Sequence, residues 1–319
     1  MSDPRPLTHG VPQGSILGPI LFLVMIADMP RSVIGDIPGA IMTGYADDSA
    51  VYVSAKNVNQ LKVRLERVSS SMISYCQDTG LILNTDKTQL LVSPRQKCQF
   101  KMGTSLITAS SEINLLGMDF DSNFSTKPYL KKLACAAQTR AKLISRLSFS
   151  MPPYVLSTLT HGLLMGKVMS ACSVTIPVRL NNDDHTFISI TEDINKAIKS
   201  AARTITRTKL SDRINSEKVL HKAKLKCLNE AVASVTSVSV WKSKQCMNKL
   251  GHYLFKEKVG LRTTRSTLSN KIELPVPGYP YLVTNVMARI WNDIPELQTA
   301  LTLSAAKSIS KKWAKKIPR

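Results

Sequence analysis

The chain has 319 residues, with 43 lysines and arginines against 22 aspartates and glutamates, a formal net charge of +21. Apolar residues make up 43 % and charged residues 20 %, which suits a folded protein and excludes wholesale disorder. The longest apolar run, residues 19–27, is far short of the roughly 20 residues a membrane span needs, and the N-terminus lacks a signal-like apolar segment. An intracellular protein, nuclear or cytoplasmic and neither secreted nor membrane-bound, is expected. Six widely spaced cysteines indicate neither a zinc knuckle nor a disulfide framework.

In chain order, His9-Gly10-Val11-Pro12-Gln13-Gly14-Ser15 is a Gly/Pro loop opening an apolar run over 16–29. Ser15 is placed to cap a helix there, with Pro19 in its first turn, where a missing N–H costs little. Glycines feeding a helix N-terminus suit close approach of a phosphate or nucleotide, a weak signal by itself. Residues 40–53 hold two β-prone runs around Asp47-Asp48 and predict a hairpin with both acids at or beside its turn. The apolar spacing of Val58, Leu61, Leu65, Val68, Met72 and Ile73 predicts a helix over 56–79, capped by Gly80. Short strands are expected at 81–83 and 89–92, then a strand pair over 113–120 containing Gly117.

Beyond Lys127 the pattern becomes helical: a basic amphipathic helix at 130–147, a break at Pro152-Pro153, and a more apolar helix at 155–172. A polar joint at 181–185 precedes helices at 194–205 and 218–250, a Pro/Gly/Thr-rich loop at 261–281, and a last helix at 304–316. Charge divides along the same line. Residues 1–123 carry 10 basic against 11 acidic side chains, whereas residues 124–319 carry 33 against 11. That excess is more than solubility requires, and nucleic acid is the commonest polyanion to answer it.

Adjacent carboxylates at a tight turn repel, and a divalent cation relieves that cost; a solvated Asp-Asp turn is the plainer alternative. The neighbours decide between them. The stretches 10–22, Tyr45-Ala46-Asp47-Asp48, 80–88 and Asn114-Leu115-Leu116-Gly117-Met118-Asp119 follow one another in the order found in reverse transcriptases of non-LTR (LINE-type) retrotransposons, which the sequence resembles. The resemblance implies an α+β fold, with a partial polymerase palm (an antiparallel sheet with flanking helices) over 1–124. Thumb-like or connecting helices at 125–185 and a basic, mainly helical region at 186–319 would follow. Residues 285–292 also resemble a C-terminal stretch of such element proteins.

The implied activity is RNA-directed DNA synthesis by two-metal nucleotidyl transfer, with Mg²⁺ or Mn²⁺ as cofactor and an RNA template, a DNA primer and dNTPs as partners. Asp47 would be the main metal ligand, Asp48 its support and Lys87 a cation near the triphosphate. Pro12, Gln13, Gly14 and Tyr45 would face nucleotide and template, and Leu116 with Gly117 would form the primer grip. The family takes another metal-binding aspartate from upstream of the Gly-loop, where this sequence offers Asp3 alone; Asp28 and Asp36 lie downstream. The expectation is therefore an N-terminally truncated fragment, without fingers or first palm motif and inactive alone, with an exposed apolar strand edge. The alternative is a non-catalytic basic remnant that holds nucleic acid. Lys311 to Lys316 reads as a nuclear signal or as a plain basic helix.

Overall fold

The computed structural model describes residues 14–180, 188–246, 254 and 283–318, and the chain divides into two compact units, Met1–Ser125 and Thr126–Arg319. The first unit opens with helices α1 (Gly18–Met25) and α2 (Met29–Ile34), followed by strands β1 (Ala40–Tyr45) and β2 (Asp48–Val53). The strands pair antiparallel in the expected hairpin, with Ile41 opposite Tyr52 and Tyr45 opposite Asp48. Alternation turns Met42, with Val51 and Val53, toward the core, while Ile41 and Tyr52 face outward at 55 % exposure each.

Helix α3 (Val58–Thr79) buries Leu65, Val68, Met72, Tyr75 and Cys76 and packs on α2 and a later strand, β4. Asn57 caps its start by accepting the Gln60 N–H (2.9 Å). Gly80 ends it at φ +70°, a left-handed conformation that L side chains resist. The Leu81 N–H closes the cap on the Cys76 carbonyl at 2.9 Å.

That cap explains the first correction. Residues 81–83 alternate like a strand, yet the Leu81 N–H is already committed to the helix end and no ladder forms there. The chain passes instead into a 3₁₀ turn at Thr85–Lys87 and a two-residue strand β3 (Leu90–Leu91). Strands β4 (Gln99–Met102) and β5 (Ser105–Ser110) form an unforeseen hairpin, and β6 (Glu112–Leu115) with β7 (Met118–Asp121) forms the expected pair. The single antiparallel sheet expected for the first unit is thus divided into three small ones. β3 lies parallel to β5 on the edge opposite β4.

Among the described residues the second unit is helical. Helix α4 (Lys127–Leu147) buries Leu130, Leu133, Ala134, Ala137, Ala141 and Ile144, the stripe its periodicity predicts. The helix expected at 155–172 is interrupted: α5 (Pro153–Leu159) passes through a π-helical turn (Thr160–Met165) into α6 (Gly166–Met169). A left-handed Ala171 (φ +52°) then precedes α7 (Cys172–Thr175). Helix α8 (Ile188–Thr206) packs along α4 through Ile194, Ala197, Ile198, Ala201 and Ala202.

The helix expected at 218–250 is split, as α9 (Ser216–Lys222) and α10 (Leu228–Cys246), by a turn around Lys224 at φ +57°. Residues 247–250, the joint at 181–185 and the loop at 261–281 lie outside the described residues. Helices α11 (Val283–Asp293), α12 (Pro295–Gln298) and α13 (Leu303–Ala314) complete the unit, with Trp241 Nε1 donating to the Ala300 carbonyl at 2.9 Å. The 285–292 stretch is core: Asn285, Val286, Met287, Ala288, Ile290 and Trp291 are all buried. No helix among the described residues is long and apolar enough to cross a membrane.

Candidate catalytic hairpin

The β1–β2 turn consists of Ala46 and Asp47, with Ala46 at φ +52°, a conformation disfavoured for a residue bearing a Cβ. Asp48 begins β2 opposite Tyr45. Both carboxylates are exposed, and among the described residues neither is paired with a cation. Tyr45 is 70 % exposed, so its ring is not packed into the core of its unit. Two adjacent oxygen donors at an open turn suit a hard divalent cation. They do not complete a site, because no group of three His, Cys, Asp or Glu able to hold a metal occurs among the described residues.

The other candidates lie elsewhere in the first unit. Gly14 is exposed at φ +84°, and Pro12 and Gln13 lie outside the described residues. Ser15 Oγ accepts the Gly18 N–H (2.9 Å), but the helix begins at Gly18 with Leu17 as its N-cap and no side-chain cap, so Ser15 lies two residues ahead of the capping position expected of it. Lys87 sits exposed on the 3₁₀ turn, where Asn84 Oδ1 accepts its backbone N–H (3.1 Å). A hydrogen bond from Ser105 Oγ to Thr85 Oγ1 (3.0 Å) ties that turn to β5.

Leu116 and Gly117, at φ +51° and +77°, form the two-residue turn of β6–β7. Asn114 builds this turn: its Oδ1 accepts the Gly117 N–H (3.1 Å) and its Nδ2 donates to the buried Asp119 (3.0 Å). Among the described residues no hydrogen bond or ion pair joins Asp47 or Asp48 to Lys87, Gly14 or the Leu116–Gly117 turn.

A supporting residue escaped the sequence reading. Tyr75, on α3, donates its hydroxyl to Asp28 Oδ1 (2.8 Å) and lies 3.1 Å from the Met25 carbonyl, which anchors the end of α1 and the start of α2. The available signal was a tyrosine on the apolar stripe of a helix, where a buried hydroxyl demands an acceptor. Burial first, and the Asp28 carboxylate second, push the Tyr75 hydroxyl up to about 12 from an ordinary value of 10.0. The folded state therefore favours the neutral phenol. Its contribution is complete below pH 10 and is lost as pH rises toward 12. In thermal melts between these values the wild type is expected to lose more stability than Tyr75→Phe; equal losses would remove Tyr75 from the account.

The comparisons agree with the motif order. Residues 2–120 match the family model described as reverse transcriptase (RNA-dependent DNA polymerase). Over 138 residues the chain is 29 % identical to the probable RNA-directed DNA polymerase from transposon BS of Drosophila melanogaster, a match covering 41 % of this chain and 15 % of that protein. It is 24 % identical over 158 residues to the RNA-directed DNA polymerase from mobile element jockey of the same fly, covering 48 % and 17 %. The jockey protein of Drosophila funebris is 26 % identical over 137 residues, covering 41 % and 15 %. The chain thus spans less than a fifth of the length of the curated relatives it matches. No solved structure matches it.

Proposed function

Residues 2–120 belong to the reverse-transcriptase family, in the form carried by non-LTR retrotransposons, and from that premise we propose that the Asp47–Asp48 hairpin is the metal-holding turn of an RNA-templated DNA polymerase. The observation that carries this reading is the placement of two adjacent, exposed carboxylates, Asp47 in a two-residue turn and Asp48 at the start of the strand that follows, neither paired with a cation among the described residues. Asp47 and Asp48 would hold divalent ions there, and such ions would supply charge stabilisation for an attacking 3′-hydroxyl and a leaving pyrophosphate. Asp47, at the turn itself, is the main ligand, and Asp48 supports it. Lys87 offsets triphosphate charge, Pro12, Gln13, Gly14 and Tyr45 meet nucleotide and template, and the Leu116–Gly117 turn grips the primer. The substrates are dNTPs on an RNA template with a DNA primer.

Metal-dependent phosphoryl transfer needs its ions fixed before the reaction begins, and two neighbouring carboxylates fix them poorly. A third carboxylate has to come from outside the described residues. With these two carboxylates as the only ones in place, extension of a primer on an RNA template in Mg²⁺ or Mn²⁺ is expected to be negligible. Robust extension that Asp47→Asn abolishes would show the site to be complete within this chain. Robust extension indifferent to that substitution would remove Asp47 from the reaction.

A second reading, nucleic-acid binding without chemistry, draws on the concentration of 33 basic against 11 acidic side chains in residues 124–319. It predicts binding by the full chain that weakens steeply with salt and is unchanged in Asp47→Asn.

A further inference from the structure

Two aromatic side chains stand out of the second unit on either side of the Pro152–Pro153 break: Phe149 is 94 % exposed and Tyr154 is 74 % exposed. Rings so exposed bury almost no apolar area and contribute little to stability. The frame beneath them is nevertheless fixed. The Ser150 and Met151 N–H groups donate to the Leu147 carbonyl, and those of Val155 and Leu156 to the Pro152 carbonyl, all at 3.0–3.2 Å.

Basic residues flank the same junction along the chain and, through Arg207, in space. Arg146 is exposed in the last turn of α4. Arg207, just past the end of α8, points Nη2 at the Met151 carbonyl (3.5 Å) and so lies beside the break. Arg203 donates to the carbonyls of Lys209 and Ile214 (3.2 Å each), which holds the 207–214 loop with Lys209 and Arg213 exposed. The one carboxylate on this loop, Asp212, accepts the Lys209 backbone N–H (2.7 Å) and the Ser211 hydroxyl (3.4 Å). It offsets a single charge, and a cationic excess remains.

We propose that this junction binds single-stranded nucleic acid, with bases stacking on Phe149 and Tyr154 and the phosphate backbone running over Arg146, Arg207, Lys209 and Arg213. Exposed π-faces within a cationic surface are what an unpaired strand offers bases and phosphates to. A duplex keeps its base faces stacked inside, so it can use the cations but not the rings. A lipid surface calls for a broad apolar face, whereas Ser148, Ser150 and two prolines separate these rings. The site uses none of the catalytic hairpin residues and stands independently of the polymerase reading.

The test is fluorescence anisotropy of the full chain with a labelled oligothymidylate of about 16 nucleotides, within the range of known single-strand site sizes. A duplex of equal length and anionic phosphatidylserine vesicles serve as comparisons. Phe149→Ala and Tyr154→Ala are each expected to weaken single-strand binding about tenfold while changing duplex binding less than twofold. Phe149→Trp should keep the affinity. Lys209→Gln should lower the slope of log affinity against log salt by about 0.7. Because both rings are exposed, the alanine variants should melt with the wild type, which separates lost binding from lost folding. Single-strand affinity indifferent to both rings, equal losses for duplex, absence of binding by the wild type, or capture of vesicles in place of the oligonucleotide would each overturn the proposal.

Discussion

Trimming Ile198 to alanine is expected to destabilise the helical unit by about 2–5 kcal/mol, read as a fall in urea midpoint at unchanged slope. Ile198 is fully buried on α8, within the stripe Ile194, Ala197, Ala201 and Ala202 that packs against α4. Opposite lie Leu130, Leu133 and Ile144, themselves 0–1 % exposed, together with Ala134, Ala137 and Ala141. Short alanine side chains let the two helices approach closely and have no atoms with which to fill a new hole. The loss therefore includes most of the cavity cost as well as the transfer cost. Ile198→Val should cost only about 0.5–1.5 kcal/mol. Lys196→Ala, which removes an exposed pair with Asp193 at 3.0 Å, should be nearly silent. Domains are stable by only about 5–15 kcal/mol, so Ile198→Ala takes a large share. Equal effects at 196 and 198 would contradict the α4–α8 packing as the centre of this unit.

The second large effect is kinetic. In a chimera that places this chain behind the segment preceding the matched stretch of the jockey protein, primer extension is expected to be measurable. Asp47→Asn should then lower the rate about 10³-fold, since removing a metal ligand forfeits several kcal/mol of transition-state stabilisation. Asp48→Asn should cost less, and Lys87→Ala about 10- to 100-fold, with the greater part appearing in KM for the dNTP. Each substitution replaces an exposed side chain, so melting temperature should not move. A rate insensitive to Asp47→Asn would leave the hairpin as an ordinary solvated turn.

The parts of the fold legible in the sequence are those whose periodicity and punctuation agree. The 40–53 hairpin, the helix ending at Gly80 and the α4 stripe each combine an apolar repeat with a turn or cap residue at the right place. Residues 81–83 misled because alternation predicts a strand only where a partner ladder is free, and the helix cap had taken the Leu81 N–H. The β4–β5 hairpin is short and polar on its outer face, with Phe100 and Met102 as the inward residues of Gln99–Met102. Four residues of alternation carry little weight in a sequence, and the parallel pairing of β3 depends on contacts far along the chain.

At the candidate site, the order of the motifs points to the proposed chemistry, and the hairpin has Asp47 in its turn and Asp48 beside it. The support for that region was not legible, because Tyr75 and Asp28 meet across 47 positions and Asn114 reads as one more loop asparagine.

The central claim is that a divalent ion binds at the Asp47–Asp48 turn. Iron-directed cleavage tests it without requiring catalysis: Fe²⁺ is loaded onto the full chain with a primer–template present, and ascorbate with peroxide generates hydroxyl radicals where the metal sits. The account predicts backbone cuts confined to the β1–β2 turn, suppressed by excess Mg²⁺ and absent from Asp47→Asn. Cuts elsewhere with the turn intact, or a pattern unchanged by Asp47→Asn, would contradict it.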